Sequence, residues 1–449
     1  MRGNSFFLTI LILLSVIIHL IPFILYGNHP LGYDTGFYRR YVIQPILSFP
    51  NTPVPGLGKD ALGLRMLLDV LRFIPLPSDV ILYGSYIFIF AVQIIALFFL
   101  AKHYWGARIG CIAAVLFTLS PIQYTAFWYM LFKNAFALPL MLFTFLLIEK
   151  QSRWAIMTGT LVMISHHTTS IIFLTSLVLC ATFSKEKQKV ALQIFIAALP
   201  VFLYLHISSI YDYLAFPVAI FMPTREYITL SLPLFGLALY GIKSMIVDKK
   251  STVFVSFAAV SVVFPLLSLP FYERMFIFTD IAIVMAAAIG LQNTYKKIKK
   301  TKEKTTRYGL IIFICVLVGW IALTTYNQIH NLRPLISPEQ LHALENIPSH
   351  VPADAAILTS TVLAPWVGGW SQHYIIAPGM HHDAHSLHDW VSFWNGSRDY
   401  KISFLNNFPR PLYFFLSLQE KQKFTANLND CIREESFFLL QYICNTIPR

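Results

Sequence analysis

The chain has 449 residues, 56% of them hydrophobic and only 12% charged, with a mean hydropathy of +0.61 and a formal charge of +12. Soluble domains carry about 25% charged residues, so a soluble globular protein is excluded. The positive balance would suit nucleic acid, but its distribution along the chain excludes that partner.

Phe6 to Tyr26 is apolar and long enough to cross a bilayer, which takes about 20 residues. Arg2 precedes it, the run is long for a signal peptide, and no small-residue cleavage site follows. A retained helix with a cytoplasmic N-terminus is expected. Residues 27–79 then form a long outside loop. It opens with Gly32-Tyr33-Asp34-Thr35-Gly36-Phe37-Tyr38-Arg39-Arg40-Tyr41, in which Asp34 is the first acidic residue of the chain. Two readings stand for Asp34. It is a solvated loop residue capping a helix from Thr35 onward, or it is a general base or metal ligand just outside a span, with Tyr38, Arg39 and Arg40 beside it. Gly36 to Leu47 and Asp60 to Phe73 are amphipathic, separated by the Pro-rich turn Pro50 to Pro55. Such helices lie in the membrane interface.

Further spans are predicted at Val80 to Ala101, Ala107 to Tyr124, Phe132 to Ile148, Trp154 to Ser165, Thr169 to Phe183, Val190 to Ile207, Tyr227 to Val247, Val253 to Leu269, Met275 to Leu291 and Tyr308 to Tyr326. The total is about eleven, a polytopic and mainly α-helical bundle. The pair around His166 is short, and reading it as one bent helix would invert everything downstream. Basic residues arbitrate, because cytoplasmic connectors carry excess Lys and Arg. With eleven spans Lys102, Arg108, Lys150, Arg153, Lys185, Lys187, Lys189, Lys243, Lys249, Lys250 and the run from Lys296 to Arg307 all fall inside. Beyond the first loop, the outside connectors hold Lys133, Arg225 and Arg274. The run from Lys296 reads as an anchor on anionic lipid.

Residues 327–449 are polar and mixed in charge, and an odd span count places them outside. Short strands at Ala355 to Thr359, Tyr374 to Ala377, Pro411 to Leu418 and Phe437 to Ile443 alternate with helices at Asp383 to Trp394 and Gln419 to Leu428. The expectation is a transmembrane domain over 1–326 and a small extracytoplasmic α/β domain over 327–449. Cys431 and Cys444 fall in that domain, where an oxidising compartment permits a disulfide but spacing does not supply its geometry.

Three further groups carry chemistry. Ser165-His166-His167-Thr168-Thr169 sits at an outside turn, where ionisable residues at membrane depth point to function and where a polar turn also satisfies helix ends. A histidine there near its ordinary value of about 6.5 would titrate in the physiological range. Phe271-Tyr272-Glu273-Arg274 opens a span; Arg274 pairs with Glu273, snorkels, or grips an anion with its two-pronged donor. His381, His385 and His388 lie one helical face apart and would suit a divalent metal, though without a recognised zinc signature.

The order of these motifs resembles the GT-C superfamily of membrane glycosyltransferases, which includes protein O-mannosyltransferases, aminoarabinose transferases and oligosaccharyltransferase catalytic subunits. The matching features are the Gly32–Tyr38 loop, the polar turn Ser165–Ser170, a late span opening with Glu273-Arg274-Met275-Phe276 and closing with Ala287-Ala288-Ile289-Gly290-Leu291, and the stretch Val351-Pro352-Ala353-Asp354-Ala355. A second acidic residue beside Asp34 is lacking, and histidine stands where relatives have lysine in the polar turn. The resemblance implies a sugar donor on polyprenyl phosphate, transfer at the outer face of the plasma membrane or its equivalent, and inversion at the anomeric carbon. Asp34 would be the base, and Tyr38, Arg39, Arg40, His166, His167, Glu273 and Arg274 would bind substrate. The acceptor is a glycan, lipid or protein; no cofactor is required beyond a possible divalent metal. Two other readings use the same residues differently: a transporter or flippase of lipid-linked saccharides, and a non-catalytic assembly subunit. The absence of internal repeats speaks against the transporter.

Overall fold

The computed structural model describes residues 2–27, 29–43, 62–215, 221–247, 251–301, 303–371, 373–378, 385–425 and 428–444. α1 (Arg2–Tyr26) leads into α2 (Thr35–Ile43) and α3 (Leu62–Leu71), the two helices of the first loop. The turn Pro50 to Pro55 and the adjoining ends of both amphipathic pieces lie outside the described residues. Then come α4 (Ser78–Trp105), α5 (Ala107–Thr118), α6 (Pro121–Trp128), α7 (Phe132–Glu149), α8 (Trp154–Met163), α9 (His167–Phe183) and α10 (Lys185–Ala215). α11 (Thr224–Val247), α12 (Thr252–Leu266), α13 (Tyr272–Lys300) and α14 (Lys304–Asn331) complete the apolar part.

All eleven predicted apolar segments are helical, but length and apolar composition bear out only part of the count of about eleven spans. Among the described residues, seven helices are long and apolar enough to cross a membrane: α1, α4, α7, α10, α11, α13 and α14. α5 and α6 make an eighth if taken together, bent by 49°. Ser120 causes the bend: its side chain caps Gln123 N–H, and Pro121 starts a new helix without an N–H to give the old one. The remaining three, α8, α9 and α12, have 10, 17 and 15 residues.

α13 is the axis of the bundle. Its most apolar stretch is 94% buried, against 17% for α14. An apolar surface all round is what a central helix needs. Its Ala286–Gly290 stretch lets α11 approach closely: a Cβ on Gly241 would lie 1.9 Å from the Ala286 carbonyl oxygen, and one on Gly290 would lie 2.0 Å from that of Leu237. At one end of the bundle Glu149 accepts from Tyr104 (2.8 Å) and pairs with Lys187 (2.6 Å). These residues end α4 and α7 and start α10. The starts of α4, α7, α9 and α13 therefore meet at the other end.

The C-terminal unit holds α15 (Pro338–His350), β1 (Ala356–Thr359), α16 (Ala364–Ser371), β2 (Tyr374–Ile376), α17 (Leu387–Asn395), α18 (Arg398–Leu405), β3 (Leu412–Phe415), α19 (Leu418–Thr425), β4 (Ile432–Glu434) and β5 (Leu439–Tyr442). The sheet order is β2-β1-β3-β5-β4, parallel across β2, β1 and β3 and antiparallel for the rest. The alternating residues of β1 and β3 face two cores. Leu344, Ile347, Trp366 and Val367 fill one side, and Trp390, Phe393, Phe404 and Phe424 fill the other. Cys431 and Cys444 form a disulfide across the β4–β5 edge.

Candidate functional site

The Asp34 turn is built by close backbone contact. Gly32 has φ +71°, and a Cβ there would lie 2.3 Å from that of Met130, so the turn rests directly on the Tyr129–Met130 link between α6 and α7. Asp34 is half-buried at the start of α2, and its carbonyl accepts the Tyr38 N–H (3.2 Å). Beside it the Tyr33 phenol donates to the Thr361 carbonyl of the C-terminal unit (2.5 Å). Burial and the adjacent Asp34 carboxylate push that phenol up from its ordinary value. The Thr35 hydroxyl donates back to the Leu31 carbonyl.

α2 then runs against α16 with no space between the backbones. A Cβ on Gly36 would lie 1.8 Å from the Pro365 carbonyl oxygen, and one on Gly369 would lie 2.3 Å from the Gly36 Cα. Arg39 and Arg40 close this joint. Arg39 donates to Asp79 (3.0 Å) and to the Gly369 carbonyl (2.8 Å), with Trp370 stacked 4.7 Å from its guanidinium. Arg40 is fully buried and donates to the Gly368 carbonyl (3.3 Å); burial brings its guanidinium down to about 10. Carbonyls at the end of a helix lack partners, which suits these cations. Both arginines therefore grip the C-terminal unit.

Tyr38 is buried between the rings of Tyr41 and Phe132. Above Tyr38 and Tyr41 lies the Lys133 ammonium, 5.8 and 5.7 Å from the two ring centres. Its neighbour Asn134 donates to the Thr168 hydroxyl (3.3 Å), tying α7 to the polar turn before α9. α3 caps that turn from above. The Gly63 N–H donates to the Ile164 carbonyl (2.7 Å), and a Cβ on Gly63 would lie 2.6 Å from the Ser165 Oγ. The first loop is thus the roof of the turn.

Within the turn, Ser165, His166, Thr168, Thr169 and Ser170 are all buried. The Thr168 hydroxyl (2.7 Å) and the Thr169 N–H (3.5 Å) donate to His166 Nδ1, which puts the ring hydrogen on Nε2. Burial, then the nearby His167, Arg274, Lys133 and His206, holds this imidazole well below its ordinary value. The expected titration in the physiological range is corrected accordingly: His166 is a neutral ring there. His167 packs between His166, His206 and Phe271, with ring centres 4.5, 6.1 and 4.9 Å away. Phe271 adopts φ +63° as α13 starts, and the Arg274 charge three residues on lies near enough to His166 to act on its ring. Glu273 accepts from Tyr272 (3.2 Å).

Of the expected three-histidine face, only His385 and His388 are among the described residues, and they do not share a helix. His381 lies outside the described residues. α17 starts only at Leu387, with Ser386 and Asp389 capping each other, so His385 precedes the helix. Its ring lies against Phe404 and Phe408, and His388 is exposed. Among the described residues no three His, Cys, Asp or Glu side chains are grouped for a metal. The described groups near Asp34 and the polar turn are mostly cationic or aromatic, a donor set that does not fit a divalent cation.

Sequence reasoning gathered Asp34, His166, His167 and Arg274, which lie at one end of the bundle. It missed Lys133, Tyr33, Asn134 and His206. The signal for Lys133 was its placement as one of few basic residues in the outside connectors.

No protein-family model and no curated protein sequence matches the chain. Solved structures do. An oligosaccharyltransferase of Archaeoglobus fulgidus, tethered to an acceptor peptide, is 12% identical with a TM-score of 0.70, over 92% of this chain and 68% of that one. ArnT from Cupriavidus metallidurans, bound to undecaprenyl phosphate, is 10% identical with a TM-score of 0.60, over 99% of both chains. The mycobacterial arabinofuranosyltransferase AftD is 12% identical with a TM-score of 0.53, over 91% of this chain and 36% of that one. At this identity the likeness is one of fold, and it spans the membrane bundle and the C-terminal unit alike: the chain has the GT-C fold of membrane glycosyltransferases.

Proposed function

We propose that this protein is an integral-membrane glycosyltransferase that takes a sugar from a polyprenyl-phosphate donor and transfers it at the outer face. The observation that carries the reading is the meeting of the Asp34 turn, Lys133, the His166–His167 turn and Arg274 at one end of a GT-C fold. The acceptor hydroxyl attacks the anomeric carbon while the bond from that carbon to the phosphate oxygen breaks. Asp34 takes the hydroxyl proton. The polyprenyl phosphate leaves with the bonding pair, and Lys133 and Arg274 offset the charge that grows on it. His166 stays neutral and offers its Nε2 hydrogen as a donor. Direct displacement inverts the anomeric centre. The N-terminus is cytoplasmic, and the C-terminal unit is outside. Two solved relatives support the donor class in part: one contains undecaprenyl phosphate, and the archaeal enzyme has been solved with dolichol phosphate.

The test is transfer from a panel of polyprenyl-phosphate sugars by purified protein in vesicles, with Asp34→Asn as the control. Loss of transfer with donor binding retained is the expected result. Transfer at the wild-type rate in Asp34→Asn removes the base role.

A further inference from the structure

A cavity of about 720 Å³, lined by Arg39 of α2 and by no residue of the polar turn, opens between α1, α4 and the C-terminal helices. Its two parts differ in chemistry. The membrane side is apolar, made by Leu20, Phe23, Val80 and Ile87, and Leu20 and Val80 are themselves exposed toward the bilayer. The outer side carries Asp79, Glu345, Arg39 and Trp370. Tyr83 joins the two parts, and its hydroxyl accepts the Leu31 N–H (3.4 Å) behind the Asp34 turn. Arg39 lies five residues along α2 from Asp34, a rise of about 8 Å.

We propose that this cavity binds the acceptor, and that the acceptor is a neutral glycolipid whose sugar head enters from the bilayer. The inference rests on the glycosyltransferase reading above. An opening through apolar helix faces suits acyl chains, which a water-soluble acceptor lacks. The outer part holds two carboxylates against one guanidinium, and that guanidinium is already paired with Asp79 and the Gly369 carbonyl. Glu345 is exposed and has no ion-pair partner among the described residues. This balance repels an anionic head such as the donor phosphate, whose cationic partners Lys133 and Arg274 do not line the cavity. The carboxylates instead accept sugar hydroxyls, and the face of Trp370 away from Arg39 offers a surface for the sugar ring. Donor and acceptor thus reach the Asp34 turn by different routes.

The probe is glucosyl-dioleoylglycerol with brominated chains, doped into dioleoylphosphatidylcholine vesicles holding the full chain. Bromine quenches tryptophan at short range, and the Trp370 contribution is the difference between wild type and Trp370→Phe. Quenching several-fold above that from brominated phosphatidylcholine at equal bromine content is expected. Chain-free glucosylglycerol should not relieve it. Gly84→Phe fills the cavity, because a Cβ at Gly84 meets nothing within 4 Å; it should abolish the excess quenching at an unchanged melting temperature. Ile87→Phe, which adds no tryptophan, is the second filling variant. Quenching no greater than from phosphatidylcholine, or undiminished in both filled variants, overturns the inference, as does competition by polyprenyl phosphate. Transfer to a chain-free acceptor alongside a failed binding result leaves the enzyme reading standing. Glycolipid binding by a wild type that consumes no donor leaves the cavity as a glycolipid site and overturns the enzyme reading.

Discussion

At the scale of single residues, Lys133 and His166 separate what the sequence tells from what it hides. Lys133 looks in the sequence like a stray outside charge. Packed over Tyr38 and Tyr41 and close to His166, it becomes the cation that joins the Asp34 helix to the polar turn. Lys133→Ala should lower the transfer rate on the order of 10²-fold, the usual loss when a charge-stabilising donor is removed. Lys133→Arg should recover much of it, and an equal loss in both would make the role one of packing. His166 makes a separate prediction. Its folded-state pKa is depressed below the unfolded value of about 6.5, so the unfolded chain binds more protons in between. The stability held by the neutral ring is complete above about pH 6.5 and is lost as pH falls toward the folded value. Melting in detergent should therefore drop below that pH in the wild type, and His166→Asn should flatten the drop. An unchanged acid limb in the variant would put the titration elsewhere. The sequence showed a histidine at the turn, but not the burial and the Thr168 and Thr169 donors that keep it neutral.

At the scale of elements, hydropathy located every apolar helix because a bilayer imposes its own length and composition. Length alone does not decide α8, α9 and α12, whose 10, 17 and 15 residues fall short of the usual span. In the C-terminal unit β1, β2, β3 and β5 were legible from their short apolar runs, while α15, α16, α18 and β4 were not. α16 reads Ala-Pro-Trp-Val-Gly-Gly-Trp-Ser, a poor helix former on propensity. Its glycines make sense only opposite Gly36, a contact 330 residues away that no local pattern announces. Gly36→Leu tests that joint. The added side chain must push α2 off α16, at about 1–3 kcal/mol, the range for overpacking. Melting should fall, and transfer should fall further because the Asp34 turn moves with α2. A variant with normal melting and normal transfer would show that the two helices need not touch.

For the whole molecule, the sidedness of the bundle follows from its ends. Glu149, Lys187 and Tyr104 gather at one end, and the Asp34 turn, Lys133, His166 and Arg274 gather at the other. The connectors rich in Lys and Arg fall with the first group, which is why the proposed topology puts that end in the cytoplasm. Reporter fusions at the two termini should read opposite compartments, with the C-terminus outside. A cytoplasmic C-terminus would mean that the α8–α9 pair does not bring the chain back across, and the proposed outer site would then be on the wrong side.

The glycine joint between α2 and α16 also sets a timetable. Synthesis delivers the Asp34 turn to the membrane early, yet the carbonyls that Arg39 and Arg40 grip arrive some 330 residues later. On the proposed reading, a nascent chain still attached to the ribosome has Asp34 but not the brace that fixes its helix. If the proposed function holds, donor in the membrane is safe from half-made copies during translation, and transfer starts only once the C-terminal unit has docked on α2.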